Sequence, residues 1–112
     1  MSATTILNLA SAVRTTNGES SSFDVSDYVE LAIDTDVTAG SGGTLTLFYD
    51  RLGADDATYF PIWQSDPITG ATDVSTSIGA GLAYSQSFAG TGKLRWTISA
   101  GSFTFSASII GK

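Results

Sequence analysis

Gly92-Lys93-Leu94-Arg95-Trp96-Thr97-Ile98, then a turn at Gly101, then Phe103-Thr104-Phe105-Ser106-Ala107-Ser108-Ile109 is the most regular part of the chain. Leu94, Trp96 and Ile98 share one parity, and Lys93, Arg95 and Thr97 the other. After Gly101, Phe103, Phe105, Ala107 and Ile109 alternate with Thr104, Ser106 and Ser108. Successive side chains of a strand point to opposite faces, so a period of two predicts strands with one apolar and one hydroxylated face. Such strands suit antiparallel sheets that pack on one side and meet water on the other.

Working back towards the N-terminus, the same period recurs. Phe23 and Val25 share one face of a short strand. In the next, Val29, Leu31, Ile33 and Val37 oppose Tyr28, Glu30, Asp34 and Asp36. Gly40-Ser41-Gly42-Gly43 is a turn, after which Leu45, Leu47 and Tyr49 alternate with Thr44, Thr46 and Phe48. Thr58 to Trp63 forms a strand in which Pro61 lacks an N–H, so it lies at a sheet edge or carries a bulge. The apolar pattern stops after Trp63. Val74, Thr76 and Ile78 suggest another strand, and Leu82, Tyr84, Gln86 and Phe88 a further one, followed by Gly90-Thr91-Gly92.

Seven to nine short strands spaced about ten residues apart predict an all-β chain: an antiparallel β-sandwich, jelly-roll-like. Residues 23–112 make up the sandwich. Residues 1–22, rich in Ser and Thr with an Asn17-Gly18 turn signal, are expected as an N-terminal arm or a first hairpin.

The 112 residues suit one domain. Five basic residues against eleven acidic ones give a net charge of −6. Arg14, Arg51, Lys93, Arg95 and Lys112 do not cluster as phosphate contacts require, so neither nucleic acid nor an anionic membrane surface is an expected partner. With no cysteine there is no disulfide and no thiolate chemistry. The first ten residues lack a basic region and Asn8 interrupts their apolar stretch, so synthesis in a cytoplasm without an export label is expected. No apolar run reaches the length of a membrane-spanning helix.

Histidine is absent. This removes the commonest general base and metal ligand, together with every Ser-His pair. No Gly-x-Ser-x-Gly elbow and no phosphate-binding glycine loop occurs. Asp34 and Asp36, about 7 Å apart along one strand face, have the spacing an inverting glycosidase uses; a solvated strand end is the simpler reading. Asp50, Asp55 and Asp56 offer loop oxygens to calcium, but their spacing does not match an EF-hand and an ordinary polar turn explains them. The expectation is a non-enzymatic protein without a cofactor. Among the aromatics, Tyr59, Pro61 and Trp63 share a parity opposite Phe60 and Ile62. One set should face outward or into a subunit contact.

Gly92 to Ile98, Ser102 to Ser108 and the final Gly111-Lys112 resemble the ending of many small virion proteins of tailed bacteriophages. There an L-R-W strand precedes an F-x-F-S strand and the chain stops at Gly-Lys. Glu30 to Ala39 and Gly43 to Leu47 are similar to the middle of the same group. The loop Gly53-Ala54-Asp55-Asp56-Ala57-Thr58 departs from its Asp-Gly pattern. The resemblance spans residues 23–112 and carries no catalytic residues. It implies a capsid decoration (cement) protein on the virion surface, a homotrimer that binds and stabilises the shell of major capsid protein. The expected contacts are Ile6, Leu7 and Leu9 of the N-terminal arm with the capsid, and Tyr59, Pro61 and Trp63 between copies. The alternatives are a tail or baseplate accessory protein and a carbohydrate-binding module for host attachment.

Overall fold

A computed structural model describes residues 3–79 and 90–112, and these contain strands but no helix. The strands are β1 (Thr4–Arg14), β2 (Gly18–Glu19), β3 (Phe23–Asp24), β4 (Glu30–Ser41), β5 (Leu45–Leu52), β6 (Tyr59–Gln64), β7 (Thr72–Gly79), β8 (Thr91–Ile98) and β9 (Ser102–Gly111). One sheet has the order β1-β9-β4-β7; the other has the order β2-β8-β5-β6, with β3 also on β8. Every pairing is antiparallel.

This order is that of a jelly roll. β1 pairs with β9, β2 and β3 with β8, β4 with β7, and β5 with β6, as in a long hairpin rolled up so that β9 meets β4 and β8 meets β5. The sequence therefore forecast the sandwich correctly. The strand expected over Leu82 to Phe88 lies outside the described residues.

Alternation puts Leu94, Trp96 and Ile98 of β8 against Phe103, Phe105, Ala107 and Ile109 of β9, all buried. The two strands do not pair; the link Ser99–Gly101 carries the chain from one sheet to the other. Beside it Gly42–Thr44 makes the same crossing from β4 to β5. The two arches are tied by Ser99 N–H to the Thr44 carbonyl, 3.0 Å, and Thr44 N–H to Ser99 Oγ, 3.0 Å. Gly42 and Gly101 touch there with φ of 84° and 73°. A side chain is strained at that φ, and a Cβ on Gly101 would also meet the Ser41 carbonyl.

Three local readings are corrected. Val29 is 63% exposed, because β4 begins one residue later and its buried series is Leu31, Ile33, Thr35 and Val37. Gly92 is a buried position of β8, where a Cβ would run into the Tyr49 hydroxyl. Ile68, past the point where the apolar pattern stops, is buried and exchanges two backbone hydrogen bonds with Leu45. Finally, β6 is an edge strand with a bulge beside Pro61, as the missing N–H of that residue predicts. Its alternation is not simple, however, because Ile62 is the extra residue: Trp63 opposes Tyr49 while Pro61 opposes Asp50. The bulge breaks the parity of the Tyr59–Trp63 strand.

Candidate interaction surfaces

The segment Thr4–Arg14, expected as an arm or first hairpin, is the outer strand β1, paired with β9. Ile6, Leu7 and Leu9 pack half-buried against the core. Thr5, Asn8, Ala10, Ser11 and Ala12 are exposed, and Val13 is 67% exposed. Register shifts between Thr5 and Leu7 and between Leu9 and Ala12 break the strand twice.

Arg14 anchors this segment, a role the sequence did not announce. Its guanidinium lies 4.3 Å from the Phe105 ring centre and 5.2 Å from that of Trp96. It donates to the carbonyls of Phe105, 2.6 Å, Ala12, 3.1 Å, and Ala10, 3.0 Å. Trp96 and Phe105, one from each sheet, meet edge to face beneath it. Just beyond, Trp96 Nε1 donates to the Thr16 carbonyl and Ile98 N–H to Asn17 Oδ1. Such cation–π contacts contribute about 0.5–2 kcal/mol each, depending on desolvation. Burial lowers the pKa of Arg14 from its usual value.

On β6, Tyr59 is half-buried under Lys93, whose Nζ is 3.9 Å from the ring centre. Pro61 is exposed at the sheet edge and Trp63 packs against both halves of the core. Phe60 rather than Trp63 is the exposed large side chain, at 45%. The three residues singled out are therefore not one surface: Trp63 faces inward, Tyr59 supports Lys93, and Pro61 marks the edge.

The outer face of this sheet is a paired mosaic. Asp50 is buried and accepts from Arg95 Nε at 2.7 Å and Nη2 at 3.3 Å. The guanidinium of Arg95 also stacks 3.9 Å over Phe48. Lys93 reaches Glu19 at 2.5 Å. Asp55 instead holds the β5–β6 loop, accepting from the amides of Ala57 and Thr58 and the Thr58 hydroxyl, and these bonds lower its pKa. Asp56 takes a positive φ of 56°. Asp50, Asp55 and Asp56 thus serve separate jobs, and among the described residues no cluster of three acidic side chains forms a metal-binding group.

The outer face of the other sheet is different. Asp34 and Asp36 do point the same way, alongside Asp73, Ser75 and Ser77 of β7 and Ser106 and Ser108 of β9. Asp34 accepts from the Ser75 hydroxyl at 2.5 Å. Asp36 sits opposite Asp73, and the hydrogen bond and like charge between them raise its pKa. This is a flat acidic and hydroxylated face. Beside it, Asp66 to Ser75 line an open hollow of about 600 Å³. No family model and no curated protein matches the chain.

Proposed function

We propose that this chain is a structural protein of a bacteriophage particle, a decoration protein that binds the capsid shell and stabilises it. The observation that carries this reading is a double-sheet scaffold whose long outer strand β1 has no partner on its free side among the described residues and exposes Thr5, Asn8, Ala10 and Val13. Free edges add strands to a partner through main-chain hydrogen bonds. Double-sheet jelly rolls serve in viral capsids and in lectins, so the fold alone does not choose a role. What favours the particle is the resemblance of the sequences of β4, β5, β8 and β9 to small virion proteins.

A carbohydrate-binding role has less support, because ring faces of Phe48 and Tyr59 are covered by Arg95 and Lys93. Sugar recognition by stacking needs such faces open. The test is to mix the purified chain with expanded shells of the major capsid protein encoded beside it and sediment the shells. The expected result is co-sedimentation in a fixed ratio to the capsid subunit. Recovery in the supernatant at every concentration overturns the reading, and binding to isolated tails instead moves the protein there.

A further inference from the structure

Exposed strand edges invite pairing, and natural sheets blunt them with bulges, proline, lysine or very short strands. Among the described residues, three of the four edges are blunted. β1 has two register shifts, β6 has Pro61 and a bulge, and β2 and β3 are two residues each. β7 has no bulge, proline or lysine, and its one charged residue, Asp73, lies next to its first position. Its eight residues, Thr72-Asp73-Val74-Ser75-Thr76-Ser77-Ile78-Gly79, pair with β4 in unbroken register. Among the described residues its other side is open.

We infer that β7 pairs with β7 of a second copy of this chain, antiparallel, about a two-fold axis at Thr76. A two-fold contact is self-complementary, so one surface must fit itself. On β7, Val74, Thr76 and Ile78 lie opposite the buried Thr35, Ile33 and Leu31, while Asp73, Ser75 and Ser77 share the outer face with Asp36, Asp34 and Ala32. Pairing keeps the faces continuous only if residues of one parity meet. With Thr76 on the axis, Val74 of each copy meets Ile78 of the other, Ser75 meets Ser77, and Asp73 meets Gly79. Both β-branched pairs fall on the inner face, where cross-strand contact is most favourable. An axis at Asp73 would oppose two carboxylates, and one at Ser75 would set Val74 against Thr76. The product is one eight-stranded sheet in the order β1-β9-β4-β7-β7-β4-β9-β1.

This contact does not depend on the capsid reading, departs from the homotrimer that the phage resemblance implies, and is tested without a capsid. A single strand pair is a small interface, so sedimentation equilibrium is run up to about 1 mM chain, where weak association still registers. The mass should rise from 11.6 kDa towards twice that value. Ser75→Lys with Ser77→Lys puts like charges opposite each other twice and should weaken the dimer at least tenfold. Ser75→Lys with Ser77→Glu pairs opposite charges in the same register and should restore or tighten it. Both variants lose the Ser75–Asp34 hydrogen bond alike, and far-ultraviolet circular dichroism checks that each keeps its sheets. A wild-type monomer throughout, a trimer, or equal association of the two double variants overturns the inference.

Discussion

On the outer face of the sheet formed by β2, β3, β8, β5 and β6, Asp50 meets Arg95 and Glu19 meets Lys93, and each cation also covers an aromatic ring. On the outer face of the other sheet Asp34, Asp36 and Asp73 stand among serines, and their partners are a hydroxyl and each other. The same residue types thus do opposite things. Across β5 and β8 the charges knit neighbouring strands together. Across β4 and β7 Asp34 takes a hydrogen bond from Ser75, but Asp36 and Asp73 oppose each other, and the backbone ladder and the buried side chains beneath hold the sheet against that repulsion. Placement decides which, because directly opposed residues interact and opposed like charges destabilise.

Removing one partner from the knitted face is the strongest way to break this contrast. Arg95→Ala leaves Asp50 buried without its cation and should cost about 3 kcal/mol in urea unfolding. A loss under about 1 kcal/mol would mean the pair contributes no more than an exposed one. Lys93→Ala removes an exposed ion pair and the cover on Tyr59, and should cost about 1 kcal/mol. The repelling face responds with the opposite sign. The native pKa of Asp36 is raised, so its destabilising effect is fully present above that value and fades as pH falls, vanishing below the ordinary carboxylate range, where native and unfolded states are both protonated. Asp36→Asn should therefore raise the melting temperature slightly at pH 7, and the gain should disappear on acidification. A pH-independent gain would point to altered packing instead.

The architecture was legible where every inward position of a strand is apolar, as in β5, β8 and β9. It was harder to read where one residue breaks the rhythm. Ile62, the extra residue of a bulge, puts Trp63 and Pro61 on faces that simple alternation does not assign. Pro61 signalled an edge through its missing N–H, whereas nothing local in Thr72–Gly79 says that β7 is one. Edge position depends on the order of strands, which is settled by distant partners. The same holds for Arg14, whose ring contacts lie more than 80 residues away in the chain. Ile6, Leu7 and Leu9 read as a sticky segment because their apolar character is plain, but that character is largely used within the domain.

Because Thr4 opposes Gly111 and Arg14 opposes Phe103, the strand near one end of the sequence finds its place only after the strand near the other end has arrived. Closing so long a loop is entropically slow, and domains dominated by distant pairings fold on the millisecond-to-second scale. Until then β9 lacks its neighbour along one whole side, so the waiting chain exposes a ready template for misassociation with its fellows. Dilution during refolding should accordingly raise the yield of native protein, a kinetic signature of the rolled-up topology.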